Sequence, residues 1–188
     1  MGESFELTGL LADRDSWTAA AKWCSMERAL DLVGTRSAMT LLREAFYGAT
    51  RFDDLVRRAG VTPAVGSQRL RQMVDSGLLD REPYQEPGQR TRHAYTITQF
   101  GLEIFPIITA LVHLGERLPG EPGKRIQLSH AGCGQPITTE VRCAHGHIVK
   151  PSETVLSVVA SPVAATDPPT DQEPSGEEGA LGSSAQST

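Results

Sequence analysis

The sequence predicts a mainly α fold with one β-hairpin, a winged helix-turn-helix, extended by a small β-rich C-terminal appendage and a disordered tail. Three features carry the prediction. A short apolar-periodic segment over residues 52–59, a glycine at 60 and a longer periodic segment over 62–76 have helix-turn-helix spacing. Two alternating segments, 78–84 and 92–97, flank a polar loop with Pro87-Gly88 turn chemistry and so make a hairpin directly after it, the place of a wing. From residue 160 the chain is mostly Pro, Ser, Gly, Ala and Glu with one Leu, which buries too little apolar area to offset its ordering entropy.

In chain order, residues 1–15 read as a loosely held arm. Helical periodicity follows over 16–33, capped by Asp15 or Ser16 and stopped by Gly34. There Ala19, Trp23, Met26, Leu30 and Val33 recur at spacings of three and four, which reads as the stripe of a core helix. A second helix runs from Thr35 or Arg36 to Tyr47 with Met39, Leu42, Ala45 and Phe46 inward. The third, 52–59, turns Phe52, Leu55, Val56 and Ala59 inward and ends at Gly60. Thr62 is a good N-cap and Pro63 suits the first helical position, so the recognition helix starts there, and Gly77 ends it. After the hairpin, Thr98 caps a long helix, 99–118, with Leu102, Phe105, Ile108, Leu111 and Val112 on a broad apolar face and a kink expected at Pro106. That face exceeds what a small domain needs to cover, so with the first helix it is a candidate dimer element. Residues 16–118 thus form the DNA-binding and dimerisation domain, 119–125 a Pro/Gly linker, 126–159 the appendage and 160–188 the acidic tail.

The net charge of −5 over 188 residues speaks against a nucleic-acid binder until its distribution is read. Residues 36–92 hold ten Arg against seven Asp and Glu, whereas 121–188 hold four basic and eight acidic residues, so the acid lies mostly downstream of the helix-turn-helix. No apolar run is long enough to span a membrane and the acidic start has no basic leader region, so the cytoplasm is the expected compartment and no membrane partner is implied. Three cysteines, an odd number, do not make a disulfide framework. No phosphate loop, nucleophile elbow or paired-carboxylate arrangement stands out, so the sequence does not read as an enzyme.

The chemistry lies on the recognition helix. At about 100° per residue, Gly66, Leu70, Met73 and Val74 share one face while Ala64, Gln68, Arg71 and Gln72 lie opposite, with Arg69 on the flank. The outer face carries no acid before Asp75, and Arg and Gln are the side chains that bind guanine and adenine edges bidentately. The expected base-reading group is Thr62, Pro63, Ala64, Ser67, Gln68, Arg69 and Arg71. Gln89, Arg90 and Arg92 at the wing, with Arg36 and Arg51, are the expected phosphate contacts. The implied partner is an operator in double-stranded DNA.

The run Cys24-Ser-Met-Glu-Arg-Ala-Leu-Asp-Leu-Val-Gly34, then Leu41-Leu-Arg-Glu44, Arg51-Phe-Asp-Asp-Leu55, Ser67-Gln-Arg-Leu70, Ser76-Gly-Leu-Leu79 and Thr98-Gln-Phe-Gly101 resembles the HxlR-type winged-helix transcriptional regulators, relatives of the MarR group. The resemblance spans about residues 23–118. It implies a homodimer on a roughly palindromic operator, acting as a sequence-specific regulator and more specifically a repressor, under an unidentified small-molecule or redox effector. Two positions depart from the family pattern: Ser37 stands where a large residue is usual, and Gly66 where an aliphatic is usual in the recognition helix. Both are expected to weaken core packing. The competing reading is a winged helix for protein contacts, or a metal- or redox-sensing module, with minor DNA affinity.

Two cysteine features remain. In some members of the family it resembles, a cysteine at the place of Cys24 responds to oxidants, which stands beside the reading of Cys24 as a small buried hydrophobe. In the appendage, His130-Ala-Gly-Cys133 and Cys143-Ala-His145-Gly-His147 form a degenerate zinc pattern. One zinc ion held by Cys133, Cys143 and two of His130, His145 and His147 is the one cofactor the chain suggests. A Cys133–Cys143 disulfide, or docking without any staple, are the alternatives for so small a unit.

Overall fold

Threonine caps and left-handed glycines set the boundaries of this fold. A computed structural model describes residues 4–13, 24–85, 88, 90–119 and 125–159. The elements are β1 (Glu6–Leu7), α1 (Ser25–Val33), α2 (Arg36–Phe46), α3 (Phe52–Ala59), α4 (Pro63–Asp75), β2 (Leu79–Tyr84), β3 (Arg92–Ile97), α5 (Gln99–Leu102), α6 (Phe105–Arg117) and β4 (Val155–Leu156). The Thr35, Thr62 and Thr98 hydroxyls each accept from the backbone N–H three residues on, Ala38 at 3.2 Å, Val65 at 3.4 Å and Gly101 at 2.9 Å, and so satisfy an orphan donor of α2, α4 and α5. Gly60 ends α3 at φ +68°, a conformation in which a Cβ is strained, and so permits the tight turn into α4.

The core lies where α2, α3 and α4 meet the start of the wing. Leu41 and Leu42 of α2, Leu55 of α3, Leu70 and Met73 of α4, and Leu78 and Leu79 are its fully buried large side chains. Antiparallel pairing of β2 with β3 runs from Leu79 opposite Ile97 to Tyr84 opposite Arg92. The segment before α3 joins the wing through an Arg51–Ala94 bridge and a 2.8 Å bond from Tyr95 N–H to the Thr50 carbonyl. Thr98 ties the end of the wing to the end of the recognition helix, donating to the Gly77 carbonyl at 2.6 Å. Gly101 packs so closely there that a Cβ would lie 2.2 Å from the Leu78 carbonyl oxygen.

Four expectations need correction. The long last helix is two helices: α5 ends at Leu102, and Pro106 falls in the first turn of α6, where its missing N–H is unpaired in any case, so it begins a helix and kinks none. The inward face of α2 is centred on Ala38, Leu41, Leu42 and Ala45, with Met39 and Phe46 packed at its edge. The first helix is described only as α1. Of its stripe Val33 is buried but Met26 and Leu30 are 69% and 45% exposed, so this part does not cover the chain's own core; Ala19 and Trp23 lie outside the described residues. The appendage forms less sheet than its alternation suggests, with isolated bridges at Ser129–Pro136 and Arg142–Ile148 and one short strand, β4, paired in parallel with β1 of the arm. No residue from 125 to 159 is buried, so no core fixes the strand register there. The chain separates into two units, Met1–Ser157 and Val158–Thr188, and the tail from residue 160 lies outside the described residues. No helix among the described residues is long and apolar enough to cross a membrane.

Candidate nucleic-acid interface

α4 presents two faces of different chemistry. Gly66, Leu70 and Met73 are buried, while Thr62, Pro63, Ala64, Ser67, Gln68 and Arg71 are exposed, the division that 100° periodicity predicts. Small residues leave room along the first turns, and the longer Gln68 and Arg71 lie further along on the same face. Arg69 and Gln72 belong to the flank: Arg69 is half-buried and donates to the Gln72 Oε1 at 2.9 Å. Gln72 also lines an open cleft of about 430 Å³ with Arg28, Asp31, Leu32, Asp75 and Ser76, so its surroundings are α1 and the end of α4.

The wing lies beside the recognition helix. A cleft of about 360 Å³ is lined by Phe52 and Asp53 at the start of α3, Ser67 of α4, and Tyr84, Arg92, His93 and Tyr95 of the wing. It brings together two residues expected at the interface, Ser67 and Arg92. Arg92 is half-exposed and its Nη1 lies 3.3 Å from the Asp53 carboxylate. Arg51, the N-cap of α3, holds its guanidinium 5.3 Å from the centre of the Tyr84 ring, a cation–π arrangement at the rim of the same cleft. Arg90 is exposed beyond it and Gln89 lies outside the described residues. Arg36 is exposed at the first position of α2. One guanidinium nitrogen of Arg81 lies 2.9 Å from the His93 Nε2 and 3.2 Å from its Nδ1.

Acid on this face is neutralised locally. Asp54 accepts a hydrogen bond from Arg57, which outweighs desolvation and, with the charge of the Arg58 guanidinium 3.9 Å away, holds its carboxyl below the usual carboxylate range. Asp53 is matched by Arg92. Tyr84, His93 and Asp53 line this cleft and were not among the residues the sequence singles out. The pairing of Tyr84 with Arg92 across the hairpin mouth was there to be found by counting register from Leu79, but nothing local signals the stack with Arg51.

The cysteine sites are placed as follows. Cys24 is half-buried and stands as the N-cap of α1, so it is not enclosed in a helix interior. In the appendage, the His130 Nδ1 lies 3.3 Å from the Cys133 Sγ across a turn that ends at Gly134 with φ +70°. The His145 and His147 rings are 6.3 Å apart, in a second turn where Gly146 has φ +84° and the Cys143 N–H donates to the His147 carbonyl at 3.1 Å. Among the described residues no group of three or more His, Cys, Asp and Glu side chains is gathered to hold a metal. The five expected ligands therefore stand as two separate turns, and only His130 and Cys133 are brought within contact. Cys133 and Cys143 are free thiols in the structure, so no disulfide joins them.

Comparison with known proteins bears on this geometry. A family model described as HxlR-like helix-turn-helix matches residues 32–121. The uncharacterised HTH-type transcriptional regulator Mb3122 of Mycobacterium bovis is 41% identical over 122 residues, 64% of this chain and 76% of that protein. Among solved structures, the candidate transcription factor PA1607 superposes with a TM-score of 0.63 at 26% identity, covering 76% of this chain and 98% of its own. The candidate transcription factor PA1374 of Pseudomonas aeruginosa does so at 0.51 and 29%, covering 76% and 96%. A 76% share of 188 residues is about 143, so both matches reach past Pro119 and take in part of the appendage.

Proposed function

Because the chain belongs to the HxlR-like helix-turn-helix family of transcriptional regulators, we propose that it binds a roughly palindromic operator as a homodimer and represses the genes behind it. The observation that carries this reading is the exposed face of α4 beside an arginine-bearing wing, with Ser67 and Arg92 on one cleft. α4 enters the major groove. Its first turn approaches closely because Pro63 and Ala64 are small, and Gln68 and Arg71 meet base edges. Arg90 and Arg92, with Arg36 and Arg51 behind them, take phosphates, which fixes register without reading sequence. A second copy is supported by the apolar surface left uncovered on α1 and α6: Met26 and Leu30, then Phe105, Leu111 and Leu114, are all at least 44% exposed. Two copies related by a twofold axis would place two α4 helices on successive half-sites, which is what a palindrome requires. An oxidant or small molecule acting at Cys24, at the start of α1, would reach the operator through that dimer.

Two substitutions separate the roles of the contacts. Arg71→Ala removes a base contact and costs about 1–3 kcal/mol on the operator with little effect on random duplex. Arg90→Ala weakens every sequence alike and flattens the dependence of log K on log salt by about one phosphate's worth. Titrations of both variants against an operator recovered from co-purifying genomic fragments test the assignment. It fails if the two behave alike.

A further inference from the structure

We infer that the cleft between the recognition helix and the wing is the seat of one backbone phosphate of the duplex, and that Asp53 occupies it in the DNA-free protein by holding Arg92. The inference rests on the DNA-binding reading above and adds to it a residue that works against binding. Polar side chains line the cleft from three elements: Ser67 of α4, Tyr84 of β2, and Arg92 and His93 of β3. A volume of about 360 Å³ admits a phosphodiester with part of its sugar. Among the described residues the carboxylate lining it is that of Asp53, whose Oδ2 is 3.3 Å from the Arg92 Nη1 although the residue is three-quarters exposed and has open solvent to point into. Asp53 also sits in the first turn of α3, where the helix dipole favours an acid, so its charge is fixed at this spot. The neighbouring Asp54 is turned to Arg57 and Arg58 instead, which leaves Asp53 as the partner of the wing arginine.

The consequence is an exchange. When duplex docks, Arg92 passes from the Asp53 carboxylate to a phosphate, releasing a counterion from DNA while Asp53 takes one up from solution. The uptake offsets part of the release, so this contact adds less than a full phosphate's worth to the salt dependence of binding in the native protein. Each unopposed phosphate contact would add about 0.9 to the slope of log K against log salt. Phosphate contacts supply nearly all of the affinity for non-specific duplex, so the exchange is the largest share of binding there.

The test uses the full-length chain and a random-sequence duplex, followed by fluorescence anisotropy over a salt series, with thermal melts to establish that each variant is folded. Asp53→Asn is expected to tighten binding about two- to fivefold at low salt, the range of an exposed ion pair, and to steepen the slope by a fraction of about 0.9. In an Arg92→Gln background the same Asp53→Asn change is expected to leave the slope unaltered and to recover little affinity. An unchanged slope in Asp53→Asn overturns the inference, and so does a steepening that persists without Arg92, which would mark a general effect of charge. If the wild type binds duplex but shows no preference for any operator, the functional reading fails while this cycle still reports on Asp53. Absence of any duplex binding overturns both.

Discussion

Gly66 illustrates how a single residue sets the geometry of the interface. Its family-unusual identity suggests a loosened helix, since glycine in a helix interior costs about 0.5–1 kcal/mol. The structure gives the reason for it: Gly66 is buried, and a Cβ there would lie 2.4 Å from the Val56 Cγ2, so the two helices of the helix-turn-helix pack backbone against side chain. Gly66→Ala should therefore destabilise the fold by about 1–3 kcal/mol despite its better helix propensity, because Val56 is β-branched and stiff. Adding Val56→Ala should relieve the clash and return part of the loss, with Val56→Ala alone giving the cost of that truncation. Chemical denaturation of the three variants checks this, and a stabilised Gly66→Ala single variant would show that α3 and α4 can part at no cost. Asp54 makes a smaller claim. Its carboxyl is held below its ordinary value in the folded protein, so the stability it contributes is present above the unfolded value and is lost as pH falls through the folded one. Asp54→Asn should flatten the acid limb of a pH–stability profile by lowering stability slightly at neutral pH and leaving it unchanged at the acid end. At this scale the exposed face of α4 was legible, because 100° periodicity alone sorts Ala64, Gln68 and Arg71 from Leu70 and Met73. The diversion of Arg69 to Gln72, and of Arg92 to Asp53, was not, since each depends on which side chain the fold brings alongside.

Among the elements, the wing and recognition helix follow from local chemistry and the last helices do not. Threonine caps, Pro63 and the alternation of 79–84 and 92–97 act within a few residues, so their outcome is fixed before tertiary packing. The split between α5 and α6 has a tertiary cause. α5 is drawn against the Leu78 carbonyl through Thr98 and Gly101, and the chain must then turn before Pro106 can start α6. The appendage failed as a sheet for a related reason: alternation predicts strands only where a core selects one face, and none of its residues is buried. The apolar outer face of α6 yields a direct prediction. Leu114 is 56% exposed in the single chain, so Leu114→Glu should leave the melting behaviour of the protomer within about 0.5 kcal/mol while shifting the mass by sedimentation toward one chain. A Leu114→Glu variant that stays dimeric would remove α6 from the interface.

For the molecule as a whole, charge placement matters more than charge. A net −5 masks a basic window over residues 36–92, and the ion pairs of Asp53 and Asp54 reduce the acid on that side still further. The sequence gives no operator, since base preference depends on how α4 docks, which no residue spacing encodes. The affinity of the full-length protein for its selected operator, measured against a random duplex of equal length at physiological salt, tests the central claim most directly. Recognition by the outer face of α4 predicts an operator preference of about 10³-fold or more, falling about 5- to 150-fold in Arg71→Ala. Equal affinity for the two duplexes would contradict it.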